Sequence, residues 1–354
     1  MSTFNIDSHK LMYHVERVNA WLNGGDIFPV YAEVGLFGGC NHRCAFCAFD
    51  FLKYKPVSLS EKHLRRFILQ AAKNGLKAIL FSGEGEPLLH KKAAEIIRYT
   101  KQCNIDTALV TNGVLFDRET AAKTLGHLSW LKVSLDAAKR STYAFVHGTD
   151  AADFDVVIHN IRQAVKIKKK SGYDCVIGVQ SILMPQNFKE MAALAELSRR
   201  IGADYLVIKP YCPHISSKSK ARNLLKDKDL LGLQKKLEKY SDGRFRVIFR
   251  NNALQKIGRP KPYKECLGLP FMTHISANGD VYPCNAFVGN RRFCFGNITK
   301  NSFMEIWGGK KRKLIMSSLN SRLDVNSCRN PCRLDEVNRY LWELKNPIRH
   351  VNFI

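Results

Sequence analysis

Three cysteines crowd the run Gly38-Gly39-Cys40-Asn41-His42-Arg43-Cys44-Ala45-Phe46-Cys47, with the spacing C-x3-C-x2-C. Thiolates are soft ligands, and three on one short loop can hold three corners of a cubane iron–sulfur cluster. A fourth iron would then lack a protein thiolate and stand open to another molecule. Zinc, or three plain buried thiols, are the alternative readings. Zinc ordinarily takes a fourth Cys or His at a short spacing, and His42 does not fit the usual pattern. A second group lies further on: Cys266 and Cys284 bracket Asn278-Gly279, a hairpin-turn signal, and Cys328 with Cys332 makes a C-x3-C pair. Two separated pairs of thiolates can close a complete site for zinc or for a second iron–sulfur cluster. A third group, Lys209, Tyr211, Cys212 and His214, holds catalytic candidates. Lys209 can pair with a phosphate or act as a base, and the other three can move protons or hydrogen atoms. The plainer reading of each is an inert core or loop residue.

These residues need a frame. Apolar, β-branched runs near Val30–Phe37, Lys77–Phe81, Asp106–Val110, Leu128–Leu135, Cys175–Leu183 and Asp204–Lys209 read as strands. Helix-period stretches alternate with them, near Ser60–Asn74, Lys91–Gln102, Arg118–Leu125, Ala152–Lys170 and Phe188–Ile201. Repeated β-α units mean parallel strands joined by right-handed crossovers, with function at the C-terminal strand ends. The first cysteine loop sits at such an end. Residues 1–28 are expected to form a helical extension (Leu11–Leu22, ended by Gly24-Gly25), 29–257 an α/β core, 258–340 a cysteine-bearing module and 341–354 a tail. Leu224–Tyr240 reads as a further helix and Arg246–Phe249 as a strand. Cys103 and Cys175 fall inside elements and are expected in the core.

At 354 residues the chain can bury a large core, and 45% hydrophobic with 25% charged residues is ordinary for a globular protein. No apolar stretch reaches a membrane span and Met1–Lys10 carries no signal-peptide core, so a cytoplasmic protein without membrane association is expected. Eleven cysteines in that setting point to metal or redox chemistry. A net charge of +25 favours anionic partners: phosphorylated or nucleotide-linked small molecules, nucleic acid, or an acidic electron-transfer protein. Its densest runs are Lys166–Lys170, Lys218–Lys228 and Lys310–Lys313. Each taken singly reads as a solvated face.

The cysteine loop resembles the cluster loop of radical SAM enzymes. Gly85-Glu86-Pro87, after the second strand, resembles that family's GGEP motif, with Glu84 where many members carry Gly. Thr111-Asn112-Gly113 and Ser134-Leu135-Asp136 resemble its later strand-end segments, and Phe46 its aromatic before the third cysteine. The resemblance implies a partial (β/α)6 TIM-like barrel followed by a small C-terminal Cys-rich β-hairpin/helix module. It implies a [4Fe–4S] cluster on Cys40, Cys44 and Cys47 that binds S-adenosylmethionine (SAM). It also implies SAM contacts from Phe46, Gly85, Glu86, Pro87, Asn112, Ser134 and Asp136. Gln180 and Ser181 are weaker candidates beside the adenine. Cys266, Gly279 and Cys284 resemble the start of SPASM and twitch modules, followed by Phe295–Ile298 and Met304–Trp307. The implied second auxiliary [4Fe–4S] cluster would use Cys266, Cys284, Cys328 and Cys332, with Cys294 as a possible substitute. A radical SAM oxidoreductase or epimerase acting on a small anionic sugar or nucleotide-linked metabolite is expected, reduced by a flavodoxin or ferredoxin. A SPASM-type peptide maturase and an RNA-modifying enzyme are the alternatives. So is a non-enzymatic nucleic-acid-binding protein, although no aromatic residues interleave with the basic runs.

Overall fold

The computed structural model describes residues 8–218, 227–250, 253, 256, 259–329 and 332–353. Eight strands run in parallel: β1 (Tyr31–Val34), β2 (Ala78–Phe81), β3 (Asp106–Thr111), β4 (Trp130–Ser134), β5 (Val176–Leu183), β6 (Tyr205–Pro210), β7 (Arg246–Phe249) and β8 (Met272–Ile275), which lies on the other side of β1. Two more in antiparallel pairing, β9 (Asp280–Tyr282) and β10 (Gly296–Asn297), complete one sheet in the order β10-β9-β8-β1-β2-β3-β4-β5-β6-β7. The edges β7 and β10 do not meet, so the barrel is partial.

Side chains of a strand alternate between faces, and the burial pattern shows which face meets the helices. Ala32 and Val34 on β1 and Leu131 and Val133 on β4 are fully buried in the core between sheet and helices. Tyr31 and Glu33, and likewise Lys132 and Ser134, therefore point to the barrel interior. Over the outer face pack α2 (Glu61–Lys73), α3 (Ala93–Gln102), α4 (Arg118–Thr124), α5 (Arg140–His147), α6 (Ala152–Ser171) and α7 (Met191–Arg200), whereas α1 (Val15–Leu22) buries Val18 in a separate cluster with Ile27, Val30, Leu267, Phe271 and Leu341. The helix α2 shows the logic. Ser60 caps it by accepting from the His63 amide, and Leu64, Phe67, Ile68 and Ala71 at 3–4-residue spacing form its buried stripe.

The structure departs from the expected elements in four places. The stretch Leu11–Leu22 is not one helix: a 3₁₀ turn, Leu11–Tyr13, is broken from α1 at His14, whose φ of −112° and ψ of 51° are not helical. The helix α5 has no counterpart in the sequence reading, because no side chain caps its start. Ser181 is fully buried beside Met191 on the helix side of β5, one residue out of register with the interior Gln180. The cysteine-bearing hairpin is no separate sheet, since β8 pairs in parallel with β1, Glu33 opposite His274. Of the helix expected over Leu224–Tyr240, Asp227–Glu238 is present, and residues 224–226 lie outside the described residues.

Beyond the hairpin, Ser302 and Glu305 form a capping box that starts the helix Phe303–Gly308. Its Phe303 ring meets Phe67 of α2 edge-on at 4.9 Å, and the Trp307 indole donates to the Ile27 carbonyl at 2.8 Å. The C-terminal segment is thus packed onto the barrel wall.

Candidate active site

The cysteine loop is held from two sides. The carbonyls at the end of α5 receive its amides, Arg43 to His147 at 3.0 Å and Ala45 to Val146 at 2.9 Å. From the other side the Glu86 amide donates to the Gly39 carbonyl at 2.9 Å. A Cβ on Gly85 would lie 2.2 Å from the Phe37 carbonyl oxygen and 2.3 Å from that of Gly39. Only glycine lets the two loops approach this closely. The buried Glu86 carboxylate then ties the ends of β2 and β3 together, accepting from the Thr111 hydroxyl at 2.7 Å, the Asn112 amide at 2.8 Å and the Leu88 amide at 3.1 Å. Burial pushes its pKa up against these donors. Asn112 closes the circle, its side-chain amide donating to Asn41 at 2.7 Å. Gly85→Ala is accordingly expected to slow turnover that depends on the cysteine loop by about 100-fold, the scale of a roughly 1 Å displacement. Single-turnover assays beside thermal unfolding check this, and unchanged turnover would refute it.

Cys40, Cys44 and Cys47 perturb one another electrostatically, and burial pushes the Cys40 thiol up to about 11 and Cys44 well above its usual value. Iron would have to displace those protons, as for any thiolate site. Three sulfurs on one loop, half accessible, fit a cluster with one free corner. His147 Nδ1 lies 3.5 Å from Cys44 Sγ and its Nε2 3.2 Å from Asp136 Oδ2. Asp136 is buried beneath the loop, accepting from the Ile182 amide, and its carbonyl receives Asn187 at 2.7 Å. Ser134 stands on the interior face of β4, two residues before Asp136. Phe46, Ile182, Met184 and Tyr211 pack into one apolar wall beside the cysteines. Tyr211 is thereby grouped with Phe46, and its buried hydroxyl has no hydrogen-bond partner among the described residues.

His214 is engaged at both ring nitrogens. Nε2 bonds the Asn285 carbonyl at 3.0 Å, Nδ1 accepts from the Ser216 amide at 3.0 Å, and the ring stacks on Phe51 at 4.7 Å. That geometry links β6 to the C-terminal module and leaves neither nitrogen free for proton transfer. Cys212 receives Arg329, whose Nε lies 3.3 Å from Sγ and whose Nη2 donates to the Cys212 carbonyl at 2.9 Å.

The second cysteine group also converges. Burial raises Cys266 to about 12, Cys332 to about 11 and Cys284 well above its usual value, and Cys284 feels Cys332, Cys266 and Cys328 as neighbours. Four thiols, Cys284 buried and the other three half-buried, drawn together from two chain segments fit an all-sulfur site. Cys294 is elsewhere, donating to the Gly296 carbonyl at 3.3 Å with Asp280 as its electrostatic neighbour. Cys103 lies at the end of α3 and packs against the core, and Cys175 is buried in it.

Between the two cysteine groups the barrel mouth is lined with charge. Glu33 contacts Arg333, receives Asn285 at 3.3 Å and faces His274 Nδ1 at 3.7 Å. Burial alone would push Glu33 up, but Arg333 and His274 hold it at about 2. His274 stands between two carboxylates, with Glu84 Oε2 3.4 Å from Nε2. Burial works against its charge, yet Glu33 and Glu84 raise it to about 9. Glu84 also accepts the Ala277 amide at 2.7 Å. So the residue that departs from the GGEP pattern fastens the hairpin to the barrel. Lys132 is lowered to about 8 by burial and then by Arg333 and Arg250, and Lys209 falls well below its usual range by burial and by Lys132, Arg250, Arg329 and Arg333. Of these five cations the sequence reading singled out Lys209 alone. A lone lysine in an alternating strand, and arginines flanking paired cysteines, were the signals for Lys132, Arg329 and Arg333, whereas nothing in the sequence marked Arg250.

Residues 34–198 match the family model of the Radical SAM superfamily, and residues 266–333 match the iron–sulfur cluster-binding SPASM domain. A probable GTP 3′,8-cyclase of Saccharolobus solfataricus is 28% identical over 173 residues, 49% of this chain and 54% of that protein. The chain spans about half the length of the curated relatives it matches. Among solved structures, Streptococcus suis SuiB bound to S-adenosylmethionine superposes with a TM-score of 0.67 at 18% identity, covering 86% of this chain and 72% of SuiB. Native anSMEcpe with AdoMet and the Cp18Cys peptide gives 0.59 at 19% identity and 88% of each chain. Both likenesses concern the fold. The class is therefore that of cluster-bearing α/β barrels whose first strand-end loop holds three cysteines. Residues 34–198 therefore carry a Radical SAM superfamily domain, and residues 266–333 a SPASM-type iron–sulfur module after the barrel. The barrel domain binds a [4Fe–4S] cluster and SAM, and the SPASM domain binds auxiliary iron–sulfur clusters.

Proposed function

We propose that the protein is a radical SAM enzyme acting on a small anionic metabolite, a phosphorylated or nucleotide-linked sugar, by oxidation or epimerisation. The observation carrying this reading is the convergence of Lys132, Lys209, Arg250, Arg329 and Arg333 in the barrel mouth. The reduced cluster with SAM supplies a 5′-deoxyadenosyl radical able to take hydrogen from an unactivated carbon. The chain's own residues position and shield. Gly85 and Glu86 fix the strand ends against the cysteine loop, Phe46 and Tyr211 offer an apolar wall for adenine, and Asn112, Ser134 and Asp136 offer polar atoms for the remainder of SAM. The basic residues orient the substrate by its anion. The relatives are named for the cyclisation of GTP, a polyanionic nucleotide, which agrees in ligand chemistry. Peptide maturation is the second reading, favoured by structural neighbours solved with peptides, one of them a precursor peptide.

A surface of +25 suits docking of an acidic flavodoxin or ferredoxin as reductant, and fits cytoplasmic work. No described helix is long and apolar enough to cross a membrane. The test is 5′-deoxyadenosine formation by anaerobic, reduced protein against panels of phosphorylated sugars, nucleotide sugars, peptides and tRNA. Stimulation by a phosphorylated or nucleotide-linked sugar, with deuterium from that substrate entering 5′-deoxyadenosine, is expected. Stimulation by peptides or tRNA alone would sink the proposal.

A further inference from the structure

The five cations do not arise from one segment. Lys132 lies mid-strand on β4 and Lys209 near the end of β6, both half-buried on interior faces. Arg250 follows β7 directly, its amide donating to the Ile208 carbonyl at 3.0 Å, which sets it beside Lys209. Arg329 and Arg333 come from the opposite side, Arg329 between Cys328 and Cys332 and Arg333 directly after Cys332. The Arg329 guanidinium is anchored on Cys212 at the end of β6, and Arg333 reaches Tyr31 and Glu33 of β1. Arg333 reaches the buried Glu33 yet keeps 45% of its side chain accessible, so the cation group is open to solvent on this side.

Like charges gathered in a partly desolvated chamber repel, and the arrangement is unfavourable until something neutralises it. Lys132 and Lys209 pair with no carboxylate among the described residues, and Lys132 Nζ lies over the Trp130 ring, 4.8 Å from its centroid. Glu33 is committed to Arg333 and His274. A monocarboxylate ligand would leave most of the charge unmatched. Two linked phosphates carry two to three negative charges and enough oxygens for guanidinium forks and lysines together.

Resting on the reading above, we infer that this chamber is a diphosphate-binding subsite, gripped by Lys132, Lys209 and Arg250 from the barrel and by Arg329 from the loop between Cys328 and Cys332. The substrate is then a diphosphate ester, such as a nucleoside diphosphate or a sugar linked through one. Its diphosphate bridges the two modules, and its organic part extends toward the cysteine loop at the other side of the mouth.

Calorimetric titration of the anaerobic holoenzyme with inorganic pyrophosphate, phosphate and citrate tests this. Pyrophosphate is expected to bind saturably and at least about 10-fold more tightly than phosphate or citrate. Lys132→Gln and Arg329→Gln should each weaken it by about 10-fold or more, the scale of one charged hydrogen bond. Lys132→Arg should restore binding, and Lys310→Gln, on an exposed helix end, should leave it unchanged. Equal affinity for phosphate and pyrophosphate would overturn the diphosphate assignment. Failure of pyrophosphate to bind, or an equal loss in Lys310→Gln, would overturn the subsite. Basal 5′-deoxyadenosine formation measured on the same samples separates the two readings. No pyrophosphate binding with SAM cleavage intact removes the subsite alone, whereas binding without SAM cleavage keeps the subsite and removes the radical reading.

Discussion

Replacing Cys40, Cys44 and Cys47 together by alanine should halve the iron of anaerobically purified protein, from about eight atoms to about four, and abolish 5′-deoxyadenosine formation. The remaining iron is expected because Cys266, Cys284, Cys328 and Cys332 form their own group, with no cysteine of the first loop among the neighbours that perturb Cys284. The loop itself should survive the change. Its backbone is fixed by α5, by the Glu86 amide and by the bond between Asn112 and Asn41, none of which uses a thiol. Cys284→Ala with Cys332→Ala should remove the other half of the iron. Cys294→Ser should change neither half, since that thiol bonds the Gly296 carbonyl outside the group. Iron near eight atoms in the triple variant, or zinc in place of iron in the wild type, would refute the assignment.

The second large effect is at Glu33. Glu33→Gln should destabilise the protein by about 3–5 kcal/mol, because Arg333 and the protonated His274 then lose their shared buried counter-charge. For a chain of this size, a fall of about 4–7 °C in Tm follows. The pH dependence carries a sharper signature. Glu33 is depressed from 4.5 to about 2, so its stabilisation is whole above pH 4.5 and fades as pH falls toward 2. His274 is raised from 6.5 to about 9, so its stabilisation is whole below pH 6.5 and is lost as pH rises through 9. The wild type should therefore be most stable between pH 4.5 and 6.5. In Glu33→Gln both flanks should flatten, leaving Glu84 as the remaining carboxylate against His274. A Tm against pH that overlays that of the wild type would contradict this account.

The parallel strands and the stripe of α2 were legible because burial on one or both faces leaves a period in the sequence. The cysteine loop was legible because its ligands are local. The short helix α5 was not, because it lacks a side-chain cap and is held largely by what it packs against, including the loop it clamps. Ser181 was misplaced because a period of two turns a one-residue error into the opposite face. The cation group was hidden for a different reason: its members come from residues 132, 209, 250, 329 and 333, and only curling of the sheet and docking of the C-terminal segment bring them together. Glu84 was visible as a departure from pattern. Its purpose was not, since its partners His274 and Ala277 lie about 190 residues away in the chain.

The pairing of β8 with β1 also bears on how the molecule comes into being. As the chain leaves the ribosome, β1 emerges early and acquires β2 on one side within some fifty residues. Its other edge stays bare until residues 272–275 arrive. During that interval a strand rich in unpaired amides is open to wrong partners. Contacts this distant in sequence are slow to close. Glu33 makes the interval costlier, since its charge stays unmatched until His274 and Arg333 are delivered. Assembly of the barrel is thus gated by the segment that brings the auxiliary cysteines, and a finished barrel mouth implies that the module behind it has already docked.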